Sequence, residues 1–287
     1  MVEATSVPGR QLGRYLKAAR EAAGMTSEAA AEAMEWSKAK LYRVEAGRNS
    51  IPKRHEVVAL CSVYGVSGEL SQVLCSLASE AKEGRGWWHA YGAVIPSWFE
   101  LFVGLESLAT RMRRYDPALI PGLLQTREYA TAVLAADPNV DVAQAVEARM
   151  ARQRLVTRGT PPAPLLEVML DEAALRRPVS DRRAMSTQVR HLAEVSTMPN
   201  VTVRVLPLAV GPHRASVAGA FVLLNFPDDS AEPSTVYAES LTGALYLDKP
   251  DEVTVYEEAW AVLEAHALDV SRSRELLTTI AEEYHNG

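Results

Sequence analysis

Two helix-start signals, Thr26 and Ser37, constrain this chain more than any other feature. Thr26 stands just before the run Glu28-Ala29-Ala30-Ala31-Glu32-Ala33-Met34. Ser37 stands just before Lys38-Ala39-Lys40-Leu41-Tyr42-Arg43-Val44-Glu45. A hydroxyl at the N-cap accepts a hydrogen bond from a first-turn N–H that has no helical partner. Gly24 ahead of the first run and Gly47 behind the second suit the left-handed stop of a helix. The segment therefore reads as two short helices joined by a tight turn. The alanine run gives the first high propensity and lets a neighbour approach closely. On the second, Leu41 and Val44 share one face, and Lys40 and Arg43 share another.

The flanks extend this pattern. Leu12, Tyr15, Leu16 and Ala19 fall at i, i+3, i+4 and i+7, as do Val57, Leu60, Cys61 and Tyr64. Leu70, Val73, Leu74 and Leu77 suit a fifth helix, with Ser67 as its cap. The spacing predicts an all-α, five-helix unit over residues 1–80. Where two short helices are joined tightly, the first can brace on a DNA backbone while the second enters the major groove. Charge fits that use. The chain as a whole carries a net −6, but between Ser37 and Arg54 six basic residues face one acid, Glu45. Two readings of this block stay open: a local anion-binding surface or a solvated face. The candidate DNA contacts are Thr26, Ser27, Ser37, Lys38, Ala39, Lys40, Tyr42 and Arg43, with Arg48 and Lys53 reaching flanking phosphates.

The runs from Gly24 to Ala31 and from Trp36 to Gly47 resemble the Cro/CI-type (XRE-family), lambda-repressor-like helix-turn-helix. Thr26 and Ser37 match its caps, Ala31 its small inter-helix residue, and Arg43-Val44-Glu45-x-Gly47 its closing signature. The resemblance implies binding to double-stranded DNA and transcription regulation. Ser27 departs from the family's usual Gln, which shortens its reach. Glu35 stands where the turn usually has Gly. Either it is left-handed and strained by roughly 1 kcal/mol, or the turn differs. Glu45 reads as a packing or ion-pair residue. Arg43 is open between a phosphate contact and a partner for Glu45.

The stretch Glu80–Gly86 reads as a linker, followed by the aromatics Trp87, Trp88, Tyr91, Trp98 and Phe99. These form either a hydrophobic plug or an aromatic wall for a ligand or partner. Beyond them, helices are expected at 97–112, 125–136, 142–158 and 181–195, with two more at the C-terminus. Strands are expected at 165–170, 201–206, 220–225, 235–239 and 244–247. That alternation describes a mixed α+β domain. The expected division is 1–80 for DNA binding, 81–98 as an aromatic linker and 99–287 for regulation, dimerisation or partner binding. The runs Ile120–Ala130, Arg152–Leu155 and Val236–Glu239 resemble the C-terminal domain of unknown function behind such modules in actinobacterial regulators. That resemblance implies regulation alongside a small companion protein, and brings no ligand or catalytic residue with it.

Catalytic chemistry is not expected. The two cysteines, Cys61 and Cys75, form no disulfide framework and suit packed helices. No His pair has metal-ligand spacing, and no phosphate-binding or nucleophile motif occurs. Asp171-Glu172 reads as a helix start. His213 and Glu239 are singled out only as possible ligand or partner contacts. The longest stretch free of charge, Gly86–Phe99, is too short for a bilayer. With no signal peptide evident, a cytoplasmic location is expected, on the nucleoid when DNA is bound. The expected function is a homodimeric, sequence-specific regulator reading a palindromic operator, with no cofactor. A small partner protein or small-molecule effector would control it through the second domain. The alternative is an antitoxin-like protein that sequesters a small companion, with DNA binding autoregulatory.

Overall fold

The computed structural model describes residues 7–47, 51–66, 68–83, 91, 94–227, 232–241 and 243–286. The predicted helical unit is there as α1 (Val7–Ala22), α2 (Ser27–Ala33), α3 (Lys38–Glu45), α4 (Arg54–Val63) and α5 (Gly68–Glu83). The apolar positions read at helical spacing meet in one cluster. Leu12 and Leu16 of α1 pack with Ala30, Ala31, Leu41, Val44, Leu60 and Leu74, all buried. Each fully buried leucine contributes about 1.5–3 kcal/mol, more than local propensity could give helices this short. Cys61 and Cys75 are free thiols within this core. Ser67, the proposed cap of α5, lies outside the described residues.

The second region alternates helices and strands. It runs α6 (Ser97–Leu108), β1 (Arg111–Asp116), α7 (Arg127–Leu134), α8 (Val142–Thr157), β2 (Leu165–Asp171), α9 (Glu172–Arg176), α10 (Arg182–Val195) and β3 (Val201–Leu206). Then come α11 (Ala215–Ala218), β4 (Phe221–Asn225), β5 (Thr235–Ser240), β6 (Gly243–Leu247), α12 (Pro250–His266) and α13 (Val270–Asn286). The strands form a six-stranded sheet in the order β3-β2-β1-β4-β5-β6. Helical crossovers link β1 to β2 and β2 to β3, and both pairs are parallel. β4 then joins β1 from the other side, antiparallel, and opens an antiparallel meander.

Alternation along the strands feeds two cores. Val222 and Leu224 face a layer containing Val168, Met185, Val189, Leu277 and Ile280. Phe221 and Leu223 face Tyr115, Val253, Trp260 and Leu263. The β3 edge is covered: Leu268 N–H donates to Val205 O at 2.9 Å, and Val205 N–H donates to Ser273 Oγ at 3.0 Å. Between the two regions, Arg14 of α1 donates to the Leu108 carbonyl at the end of α6, at 3.1 Å.

One expectation fails at the sheet's centre. The helix expected over 97–112 stops at Leu108, and Arg111–Asp116, read as helix end and loop, is the inner strand β1. Its sequence, Arg-Met-Arg-Arg-Tyr-Asp, hides the alternation because each arginine is neutralised in place. Arg111 pairs with Glu167 at 2.6 Å, Arg113 with Glu257 at 2.9 Å, and Arg114 with Asp116 at 2.6 Å. Asp171 caps α9 by accepting from the Ala173 N–H at 2.9 Å, as its position implies.

Candidate nucleic-acid interface

The turn that sets α3 is built by its caps. Thr26 Oγ1 accepts from the Ala29 N–H at 3.1 Å, and Ser37 Oγ from the Lys40 N–H at 3.2 Å. Between them Glu35 is left-handed, at φ 53°. The turn therefore keeps the family geometry and carries the strain of a side chain where glycine is usual. Trp36 N–H donates to Ala31 O at 2.8 Å and closes the turn.

Two contacts from α1 hold α3 at a fixed depth. A Cβ on Gly13 would stand 2.5 Å from the Glu45 carbonyl oxygen and 2.6 Å from that of Val44, so only glycine lets the helices meet this closely. Arg20 grips Glu45 with two bonds, Nε to Oε1 at 2.7 Å and Nη2 to Oε2 at 3.0 Å. It also donates to the Met25 carbonyl at 2.8 Å. The bond to Glu45 holds the guanidinium above its ordinary pKa, against the opposing effect of burial. Glu45 is thus an ion-pair residue with Arg20 as its partner, and Arg43 is exposed.

Lys38, Ala39, Tyr42 and Arg43 are the exposed residues of α3. Tyr42 is 61% exposed. The Lys38 side chain is 70% exposed, with Nζ 2.9 Å from Glu28 Oε1. Lys40 is different. Its side chain is 33% exposed, with Nζ 2.6 Å from Glu56 Oε1 and 3.8 Å from the centre of the Trp36 ring. The expected basic face therefore keeps Arg43, while Lys40 is braced against α4 and the turn. Burial pushes the Glu56 carboxyl up, but Lys40 and the Lys53 N–H outweigh it and hold it below the ordinary carboxylate range. Glu28 is lowered chiefly by its hydrogen bond from Lys38. Solvent and salt screen an exposed pair such as Lys38–Glu28, so a phosphate can displace it.

Thr26, Ser27 and Ser37 are exposed at the starts of α2 and α3, and Lys53 is exposed at the start of α4. Arg48 lies outside the described residues. The sequence reading did not find Gly13, Arg20 and Glu56 as organisers of the surface. Their partners on α3 are remote in sequence, and no spacing rule links them, although Glu56 also accepts from the Lys53 N–H at capping-box spacing.

The ligand or partner candidates of the second region are scattered. Trp87 and Trp88 lie outside the described residues, as does the side chain of Trp98. His213 precedes α11, with Nε2 3.4 Å from the Tyr115 hydroxyl. Glu239, near the end of β5, accepts from the Tyr237 hydroxyl at 3.1 Å and borders a cavity of about 410 Å³. Tyr115 and Tyr237 belong to the cores on opposite faces of the sheet, so His213 and Glu239 form no common site. Among the described residues no group of His, Cys, Asp and Glu is arranged to hold a metal, and no helix is long and apolar enough to cross a membrane.

Capped helices α2 and α3, with α3 presented on a buried α1 platform, define a helix-turn-helix protein with an appended α/β domain. Family comparison agrees: residues 11–74 match a helix-turn-helix domain, of the XRE-like kind read from the sequence. Residues 99–279 match a domain of unknown function, DUF5753; this covers more than half of the chain, which belongs to that family. The helix-turn-helix supports a DNA-binding regulator. No curated protein and no solved structure matches the chain.

Proposed function

We propose that the protein is a sequence-specific transcriptional regulator that binds a (pseudo)palindromic operator as a homodimer. In this reading residues 1–80 bind DNA, 81–98 connect, and 99–287 regulate; no catalytic step is involved. The observation that carries it is the exposed Lys38, Ala39, Tyr42 and Arg43 face on an α3 locked from behind by Gly13 and Arg20. One small module buries limited DNA surface, and two-fold symmetry doubles the contacts. Arg43 and Tyr42 are the base or phosphate readers, Lys38 exchanges Glu28 for phosphate, and Lys53 contacts the flanking backbone.

Selection of bound fragments from a random DNA pool tests this. Half-sites spaced by about one helical turn, ~34 Å, are expected. With about five phosphate contacts per subunit, the log–log salt slope of a dimer should be about −9. Arg43→Ala should weaken operator binding about tenfold or more. Lys53→Gln should weaken all sequences evenly. Retention that is blind to sequence and to salt overturns the reading.

The antitoxin-like alternative draws support from one feature. Among the described residues β6 pairs only with β5, leaving a sheet edge beside the exposed Leu241 and Leu245. A stoichiometric small protein co-purifying with the full chain, and lost on Leu245→Lys, would favour sequestration of a companion.

A further inference from the structure

The roughly 410 Å³ cavity lies between α6, the Ile120–Gln125 loop, α8 and β5, and falls in the size range of small-molecule sites. Three stretches that carry the family resemblance of this half converge on it, sending in Gln125, Arg152 and Tyr237. Its walls are largely apolar, with Val94, Ile95, Phe99, Phe102, Val133 and Ala145 among them. Into this lining project three arginines, Arg114, Arg149 and Arg152.

Two of the three are spoken for. Arg114 pairs with Asp116 through bonds of 2.6 and 2.7 Å. Arg152 pairs with Glu106, itself 1% exposed, through bonds of 2.6 and 2.7 Å. Arg149 donates Nη1 to Gln125 Oε1 at 2.7 Å and, among the described residues, forms no ion pair with a carboxylate. The amide of Gln125 is fixed in that orientation because its Nε2 donates to Ile120 O at 2.7 Å. Gln153 ties the loop down by donating to the Gly122 and Gln125 carbonyls at 2.9 and 2.7 Å. The free guanidinium is thus held in place before any ligand arrives. Burial, then repulsion from Arg152, pushes the Arg149 pKa down to about 10, with Glu239 pulling the other way through space; this still leaves it charged at neutral pH.

We propose that this cavity binds a small apolar monocarboxylate, its head on Arg149 and its body against Phe99, Phe102 and Val133. A planar guanidinium in an apolar setting favours a bidentate carboxylate. One cation with no carboxylate bonded to it, and Glu239 acting on it only through space, matches one negative charge. Glu239 at the rim, bonded to Tyr237 rather than to Arg149, opposes a second. Only the regulatory consequence of such binding rests on the DNA-binding reading; the binding itself does not.

Calorimetry on the full chain, without DNA, tests it with octanoate, methyl octanoate, octyl phosphate and octylamine. Octanoate should bind saturably at one site, at least tenfold tighter than the ester or the phosphate, and the amine should not bind. Arg149→Gln should weaken octanoate at least tenfold and leave the ester unchanged, with its thermal transition reporting that it is folded. Ala148→Phe, which fills the cavity, should weaken both probes. Octanoate that fails to bind, binds no tighter than the ester or the phosphate, or binds the Arg149→Gln protein as well as the original overturns the proposal. A parallel operator shift separates the two readings. DNA binding without octanoate binding sinks the ligand alone, and the converse sinks the regulator alone.

Discussion

The helical region buries the bidentate pair Arg20–Glu45, and the sheet region buries two, Arg114–Asp116 and Arg152–Glu106; Arg20–Glu45 and Arg152–Glu106 differ in what surrounds them. In the helical region Arg20 of α1 grips Glu45 behind α3, while on the outer side Lys38 pairs with Glu28 in solvent and Arg43 is exposed. In the sheet region Arg152–Glu106 sits beside another guanidinium, Arg149, which has no acid of its own. Exposed pairs are cheap to exchange, whereas a buried pair is costly to break. The first arrangement suits a surface that swaps carboxylates for phosphates. The second suits a pocket that waits for an anion.

The largest test of this contrast removes one half of each buried pair. Glu106→Gln should cost about 3–5 kcal/mol in chemical denaturation, because it strands Arg152 next to Arg149. Glu45→Gln should cost a similar amount, and the loss should accompany loss of operator binding. If either change costs under about 1 kcal/mol, the pair is not the buried anchor described. Gly13→Ala comes next. Alanine favours the helix by about 1 kcal/mol, but its methyl meets backbone oxygens that cannot step aside. Overpacking should win, by about 1–3 kcal/mol, and calorimetry gives the sign.

Glu35→Gly should act the other way, raising stability by about 0.5–1 kcal/mol as the left-handed strain is released. A lower melting temperature would show that the Glu35 side chain does something the turn needs. The smallest effect marks the sheet region by pH. Burial lowers the pKa of His191 in α10 below its ordinary 6.5, with Glu194 pulling weakly the other way. The folded state thus prefers the neutral ring. Its contribution is whole above pH 6.5 and declines as pH falls through that value toward the folded one. His191→Gln should flatten that part of a stability–pH curve.

The helical region was legible because its signals are local. Caps, glycine stops and apolar positions three and four apart need no knowledge of the rest of the chain. The strands Leu165–Asp171 and Phe221–Asn225 were legible because two-sided burial makes them nearly continuous apolar runs, and Val201–Leu206 because its valines alternate with Thr202 and Arg204. β1 was not, because two of its three arginines, Arg111 and Arg113, find acids on β2 and α12, far along the chain. The candidate reading face was legible as residue types but not as geometry. Trp36 stands four residues before Lys40, but nothing near Lys40 in sequence announces Glu56 as its partner. The cavity was invisible for the same reason: its wall draws on α6, α8 and β5, which only the sheet brings together.

Gly13 and Arg14 are consecutive, yet they answer to different masters. One has no clearance against the carbonyls that end α3; the other holds the last carbonyl of α6. Phe99 and Phe102, farther back on α6, wall the cavity. Any occupant that nudges that rod along its axis tugs on a residue whose neighbour is wedged, without slack, under the reading helix.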